Sequence, residues 1–290
     1  MESTNKHHQL SAAGVFVALG IIYGDIGTSP IYTMKFIVGD RPITEDLILG
    51  GLSCIFWTLT LITTIKYIYL ALNADNKGEG GIFALYALVR RYKATWVIYP
   101  AIIGCCTLVA DGFITPAISV SSAVEGLRLI YPEIPTTTIV IGILFGLFVF
   151  QQFGTNVVGR TFGPVMLLWF TMLAILGINM LIKNPEVLKA LNPVYAYHLI
   201  HDYPGGFMLL GAVFLCTTGA EALYSDLGHC GKSNVRISWS VVKICLLLNY
   251  FGQGAWLLTQ EGNVLGQNIP FYSIMPEGFL IFGIVLATMA

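Results

Sequence analysis

Charged residues are scarce in this chain, and their scarcity excludes most classes of soluble protein. Only 11% of the 290 residues are Asp, Glu, Lys or Arg, whereas 56% are hydrophobic and the mean hydropathy is +0.75. Soluble domains typically carry about 25% charged residues. The formal net charge of −1 also argues against a nucleic-acid-binding surface. This composition predicts an all-α polytopic membrane protein.

Several patterns that would indicate other functions are also missing from the sequence. The six cysteines form no C-x-x-C pair, so neither a disulfide framework nor a zinc site is expected. No T-V-G-Y-G-like filter sequence occurs, and no histidine cluster lies within the apolar runs. His198 and His201 are three residues apart but lack a third metal ligand. We therefore expect neither an enzyme nor a bound cofactor.

Apolar runs that are long enough to cross about 30 Å of hydrocarbon follow one another along the chain. They fall at about 11–38, 47–72, 95–127, 137–153, 161–182, 207–227 and 237–258. An eighth run begins near Pro276 and has no closing charges, so we expect an N-terminal portion of a longer protein, ending within helix 8. Lysine and arginine are more frequent in the loops that lie on the same side of the membrane as the N-terminus. This bias predicts a cytoplasmic N-terminus.

The first run contains an acid and helix-breaking residues at membrane depth. Its segment 23–30 includes Gly24, Asp25, Gly27 and Pro30. A charge within a bilayer is costly unless it is paired or hydrated, and it therefore marks a functional site. The broken backbone frees carbonyl oxygens, which is tolerated where they line a cavity. Asp25 is thus a candidate cation ligand, although an N-cap role is an alternative.

The third run places polar groups on one helix face. Asp111, Thr115 and Ser119 are spaced by four residues and so share that face. Pro116 has no backbone N–H, which leaves the carbonyl of Gly112 without its helical partner. One acid, two hydroxyls and a free carbonyl suit a dehydrated monovalent cation. Interhelical hydrogen bonding is the alternative role for the two hydroxyls.

The sixth run is interrupted as well. Thr218, Gly219 and Glu221 lie at its centre. A carboxyl group held away from water can take a proton from one side and release it on the other, so Glu221 is a candidate for proton coupling. A structural hydrogen bond at the helix break is the alternative.

Broken spans at positions one and six indicate a transporter built from two inverted five-helix repeats. We expect a cytoplasmic N-terminus over 1–10, a first repeat over 11–182 and an incomplete second repeat over 207–290, with no soluble domain. At the outer end of the third run, we expect Glu125 to form an ion pair with Arg128.

Four segments of this chain resemble the KUP/HAK/KT potassium transporters over essentially its whole length. They are Gly20-Ile-Ile-Tyr-Gly-Asp-Ile-Gly-Thr-Ser-Pro-Ile-Tyr32, Ala74-Asp-Asn-Lys-Gly-Glu-Gly-Gly81, Ile114-Thr-Pro-Ala-Ile-Ser119 and Thr218-Gly-Ala-Glu-Ala-Leu-Tyr-Ser-Asp-Leu-Gly-His229. The resemblance implies a LeuT-like fold of the amino acid–polyamine–organocation superfamily. It also implies potassium uptake across the plasma membrane, driven by proton symport.

The resemblance assigns roles to individual residues. The acid of the first motif falls on Asp25, and the acid before Ile-Thr-Pro falls on Asp111, where many members have Glu. The acid of Thr-Gly-Ala-Glu falls on Glu221, the implied proton-coupling group. The implied potassium-coordinating oxygens map to Tyr32, Thr115, Ser119 and Thr218. From the residues alone, the Tyr32 hydroxyl could equally close the site or pack against its neighbours.

Other features of the family have no counterpart in these residues. Members carry further helices and a cytosolic C-terminal domain. The resemblance leaves room for a homodimer and for regulation by cyclic di-AMP, neither of which is visible in the sequence. Two alternatives to symport remain. Three acids would repel the carboxylate of an amino acid substrate, which disfavours an amino acid or polyamine carrier, and the missing filter sequence disfavours a channel or uniporter.

Overall fold

The computed structural model of the chain describes the backbone of residues 10–92, 95–151 and 155–290. It describes the side chains of the same residues except those within 150–161. The expected N-terminal segment 1–10 lies almost entirely outside this part. Regular structure in the described residues is helical apart from two isolated β-bridges. The α-helices are α1 (Ala12–Ile22), α2 (Gly24–Thr28), α3 (Thr33–Val38), α4 (Glu45–Thr58), α5 (Gly81–Arg90), α6 (Ile98–Glu125), α7 (Thr136–Gln151), α8 (Thr155–Lys183), α9 (Pro193–His201), α10 (Gly206–Phe214), α11 (Ala222–Ser225), α12 (Leu227–Cys230), α13 (Lys232–Leu258), α14 (Pro270–Ser273) and α15 (Leu280–Met289).

The helices are long and apolar enough for a polytopic membrane protein. Among the described residues, five helical stretches could cross a bilayer by length and composition, and a sixth is obtained if one bent pair counts as a single span. Shorter apolar helices occupy the fourth and eighth predicted runs, at Thr136–Val149 and Glu277–Met289. The predicted all-α membrane class is therefore confirmed.

The first span is broken where the sequence predicts. The helical pair Ala12–Ile22 and Gly24–Ile31 is bent by 71°. Tyr23 lies at the bend with a non-helical ψ of 11°, and its buried hydroxyl contacts the Ser238 hydroxyl at 2.8 Å and the Val235 carbonyl at 3.1 Å. The bend is thus held to α13 by hydrogen bonds.

The sixth span is also interrupted at its predicted position. α10 ends at Phe214 and a single 3₁₀ turn follows. Thr218 then adopts an extended conformation with ψ of 134°, and Gly219 has φ of +80°, a left-handed value that glycine adopts without a steric penalty. Helical structure resumes at α11, so Glu221 lies immediately before the new helix.

α4 continues without a break into a π-helical stretch, Leu59–Leu70. The side chain of Thr64 donates to the carbonyl of Leu59, five residues earlier, at 3.1 Å. Trp239 of α13 donates to the Thr64 hydroxyl at 3.1 Å, and Lys243 donates to Thr60 at 3.1 Å. π-Helical segments are rare and frequently occur at functional sites. Here the widened turn presents threonine hydroxyls to α13.

The most extensive helix packing joins α8 to α13 and to α1. A Cβ on Gly177 would overlap the carbonyl of Leu248, and one on Gly252 would overlap the backbone of Gly177. Small residues allow helix backbones to approach this closely within membranes. Asn249 of α13 also donates to the carbonyl of Leu173 at 3.2 Å. α8 and α13 therefore form the packed body against which the broken helices lie.

The expected ion pair between Glu125 and Arg128 is wrong. α6 ends at Glu125, and the following 3₁₀ turn directs Arg128 to the hydroxyl of Thr136, at 2.8 Å. Glu125 pairs instead with Lys35 of α3, at 2.8 Å. The ion pair therefore connects two helices rather than two neighbours in sequence.

His198 and His201 converge on one carboxylate. Their Nδ1 atoms lie 2.6 and 2.8 Å from the two carboxylate oxygens of Asp202. Hydrogen bonds from His198 and then His201 hold the pKa of the Asp202 carboxyl below its ordinary value. The pair thus forms a local surface network at the end of α9.

Candidate functional site

Three carboxyl groups from distant parts of the chain meet between the two helix breaks. Asp25 lies in α2, Asp111 lies in α6, and Glu221 directly precedes α11. Each residue has one carboxylate oxygen that lies within 4.8 Å of a carboxylate oxygen of both other residues. All three residues are half-buried. Among the described residues, this is the only group of three or more metal-ligating side chains whose ligand atoms all lie within 4.8 Å of one another. The three acids singled out in the sequence are thus brought together.

The second break is shaped to accommodate Asp25. A Cβ built on Gly219 would overlap the Asp25 side chain, so only glycine fits this close approach. The left-handed φ of Gly219 gives a second, independent reason for glycine there. Gly219 therefore sets the separation between the two breaks.

The polar face of α6 contributes hydroxyl groups beside its acid. Thr115 donates to the Asp111 carboxylate at 2.8 Å. Ser119 accepts a hydrogen bond from Thr28 at 3.3 Å, and Thr28 lies in the first break. A hydroxyl that donates its proton to a protein oxygen still presents its lone pairs. These hydroxyls are therefore able to offer oxygens to a cation.

Tyr32 joins the elements of the site on one side. Its hydroxyl lies 3.4 Å from the Ser29 hydroxyl, and the side chains of Ser119 and Thr218 are also its neighbours. Thr218 itself donates to the carbonyl of Leu215 at 2.9 Å. The Tyr32 side chain is 2% exposed, so it closes this side of the cluster. The predicted oxygens are thus grouped around the carboxyl groups.

Side chains that sequence reasoning missed hold the carbonyls of the first break. The indole of Trp169 donates to the Gly27 carbonyl at 2.9 Å, and Gln253 donates to the Pro30 carbonyl at 2.9 Å. Trp169 and Gln253 are fully buried, in α8 and α13. Gly24 lies beside Asp25 on the wall of a cavity of about 560 Å³. The glycines therefore permit the bend, while two distant side chains fix its shape.

The donor set fits a hard cation. Asp25 Oδ1 is buried and has no hydrogen-bond partner among the described residues. A buried oxygen without a partner is costly, so it calls for a proton, a water molecule or a cation. Carboxylates, hydroxyls and carbonyls are the oxygen ligands that hard cations prefer. The cluster can therefore hold a cation, and it can also hold a proton between two of its carboxyl groups.

Comparison with known proteins identifies the family. A family model described as the K+ potassium transporter integral membrane domain matches residues 12–290. A protein of Cytophaga hutchinsonii, called probable potassium transport system protein Kup, is 60% identical over 295 residues, covering 100% of this chain and 45% of the relative. Proteins with the same name from Flavobacterium johnsoniae and Enterococcus faecalis are 61% and 52% identical, covering 99% and 97% of this chain and 45% of each relative.

The chain therefore spans about 45% of the length of these curated relatives. No solved structure matches it. The family match extends over both helix breaks and all three acids of the cluster. The chain belongs to the K+ potassium transporter family.

Proposed function

We propose that the protein to which this chain belongs takes up potassium across the plasma membrane by potassium–proton symport. The relatives are named as potassium transport system proteins, which supports potassium as the transported ion. The observation that carries the proposal is the convergence of three acids within 4.8 Å at two helix breaks. One monovalent cation leaves negative charge there for a proton to neutralise.

The proposed potassium ligands are the oxygens that surround the cluster. They are the side-chain oxygens of Asp25, Tyr32, Asp111, Thr115, Ser119 and Thr218. Gly24, Gly27 and Gly219 shape the backbone around them. Rigidly held oxygens can replace the hydration shell of a potassium ion, as carbonyl groups do in channel filters. The unpartnered Asp25 Oδ1 is the oxygen with the strongest need for such a partner.

Glu221 is the proposed proton-coupling group. One of its carboxylate oxygens lies within 4.8 Å of one of Asp111, so the two groups repel each other when both are ionised. A proton on either carboxyl group removes that repulsion. The break beside Gly219 also separates Glu221 from the preceding helix, so α11 can carry it from one environment to another. Proton binding at Glu221 and cation binding at Asp111 are thereby linked.

The proposed architecture is the LeuT-like fold, with inverted repeats over 11–182 and from 207 onward, and with the N-terminus in the cytoplasm. The first span is bent, the helix of the sixth is interrupted at Thr218–Gly219, and the two breaks face each other, which is the arrangement that places a site at a repeat interface. Alternating access then moves the broken helices against the packed pair α8 and α13. Potassium and a proton are the transported species, and no further cofactor is invoked.

The test is rubidium or potassium uptake by the full-length protein in potassium-free liposomes, with and without an inward proton gradient. We expect stimulation by the gradient, and we expect Asp25→Asn to abolish uptake. Glu221→Gln should remove the response to the gradient while some cation binding remains. Uptake indifferent to the proton gradient would refute symport and favour a channel or uniporter. Competition by an amino acid would favour the carrier alternative.

A further inference from the structure

The loop 74–81 is a preformed turn. The backbone groups of Asn76 and Glu79 are hydrogen-bonded to each other at 2.9 and 3.2 Å. The Asp75 carboxylate accepts from the N–H of Gly78 at 2.9 Å, and Lys77 and Gly78 both have left-handed φ values. Short-range hydrogen bonds of this kind define a tight turn without help from distant residues. The loop therefore presents a fixed shape to its neighbours.

This turn contacts α11, the helix that follows the break in the sixth span, through Tyr224. The Tyr224 hydroxyl donates to the carbonyl of Ala74 at 2.6 Å. On the other side of the loop, a Cβ on Gly80 would overlap the backbone carbonyl of Tyr224. Gly80 has an extended backbone, with φ of −112° and ψ of −165°, which any residue can adopt. The contact with Tyr224, rather than the conformation, is therefore what requires glycine at this position.

Further contacts connect the loop to α12 and α13. A Cβ on Gly228 would overlap the carboxylate of Glu79, so α12 also approaches the loop closely. Lys232 and Arg236 of α13 both donate to the side chain of Asn73, directly before the loop. The loop and the residue before it thus contact α11, α12 and the start of α13.

The helix that the loop contacts, α11, directly follows Glu221. The Glu221 carbonyl accepts hydrogen bonds from the N–H groups of Tyr224 and Ser225, at 3.0 and 2.9 Å. Glu221 is therefore part of the first turn of α11 and moves with Tyr224. On the other side of Glu221, Gly219 has a left-handed φ of +80°, which interrupts the helix there. A loop that fixes Tyr224 consequently fixes Glu221 against the cluster.

We propose that loop 74–81 is a latch, which holds α11 and Glu221 in place and which releases Tyr224 when the site opens towards the predicted cytoplasmic face. The proposal rests on the proposed transport function, in which the broken helices move. It assigns a positioning role to Gly80 and Tyr224, neither of which belongs to the carboxyl cluster. Release of Tyr224 leaves the turn intact, because the turn is stabilised by its own hydrogen bonds.

Cys230 reports on movement of α12, the helix that the loop approaches at Gly228. It lies in α12 and its side chain is 3% exposed. In the full-length protein, all other cysteines are replaced by alanine and the rate of Cys230 labelling by N-ethylmaleimide is measured with and without potassium. Tyr224→Phe removes one hydrogen bond, so we expect labelling about fivefold faster. Gly80→Ala prevents close approach of the loop, and we expect an increase of more than about tenfold.

Two controls separate release of the latch from general loosening. Gly211→Ala is the matched glycine variant, because a Cβ there meets nothing within 4 Å, and it should label at the parental rate. A second background keeps only Cys54, which is 4% exposed in α4, and its labelling should not change in either latch variant. Faster labelling of both Cys230 and Cys54 would indicate unfolding and overturn the proposal.

Potassium tests the link to transport. We expect potassium to change the rate of Cys230 labelling severalfold in the parent, and we expect this response to disappear in Asp25→Asn. Labelling at the parental rate in both latch variants, or a parent that does not respond to potassium, would overturn the latch. Because labelling requires neither net uptake nor a proton gradient, symport can fail in liposomes while the latch is supported.

Discussion

Asp25→Asn is the substitution for which the structure gives the clearest quantitative expectation. Two carboxylates 4.8 Å apart repel each other by about 3 kcal/mol at an effective dielectric constant of about 20. A cation at a similar distance is attracted to each carboxylate by a comparable amount. Removing the Asp25 charge should therefore weaken potassium binding by roughly 10²- to 10³-fold. The same change relieves repulsion in the potassium-free protein, so its thermal stability should rise.

The assay is the potassium dependence of thermal unfolding in the purified full-length protein. A ligand that binds only the folded state raises the unfolding temperature as its concentration exceeds its dissociation constant. The unfolding temperature of the parent should rise with potassium. The Asp25→Asn variant should unfold at a higher temperature than the parent without potassium, and added potassium should change that temperature little. Asp46→Asn is the control, because Asp46 is an exposed acid at the start of α4. A variant that is less stable than the parent without potassium, yet binds potassium equally well, would refute the reasoning.

Three further outcomes are expected. Trp169→Phe leaves the buried Gly27 carbonyl of the first break without its donor, so the free energy of unfolding should fall by about 1–3 kcal/mol in chemical denaturation. An unchanged free energy of unfolding would contradict the stabilising role of this hydrogen bond. Glu125→Gln removes a half-exposed ion pair, so a double-mutant cycle with Lys35→Met should give a coupling of only about 0.2–1 kcal/mol. The Asp202 carboxyl has a lowered pKa in the folded state, so its ionised form stabilises the fold. This contribution is fully present at pH values above its ordinary pKa of about 4, and it is lost as the pH falls through the lower pKa of the folded state. The protection factors of the α9 amides, corrected for the intrinsic pH dependence of exchange, should therefore fall on acidification, and Asp202→Asn should remove this fall.

The acids of the site could be predicted because each is a local anomaly in the sequence. A carboxyl group beside Gly or Pro within an apolar run has few structural roles, so Asp25 and Glu221 were identifiable without knowledge of the fold. The spacing of Asp111 relative to Thr115 and Ser119 specified one helix face, and the structure has them on one continuous helix. Their assignment as ligands stays a prediction.

The supporting contacts could not be predicted, because nothing local distinguishes them. An indole in an apolar helix usually serves packing, so the hydrogen bond from Trp169 to the first break has no signal in the sequence. The π-helical stretch following α4 has an ordinary apolar composition. The mistaken partner of Glu125 arose from proximity in sequence, whereas the helix end after Glu125 separates it from Arg128.

The carboxyl cluster also determines how the membrane potential would act on the proposed cycle. If all three acids are ionised in the empty site, its charge is −3, and one potassium ion with one proton reduces it to −1. Each elementary charge that crosses the full field is worth about 2.3 kcal/mol per 100 mV. An inside-negative potential therefore opposes the inward step of the loaded site by one charge and favours the outward return of the empty site by three. The electrical driving force is thus concentrated in the step during which the site carries nothing.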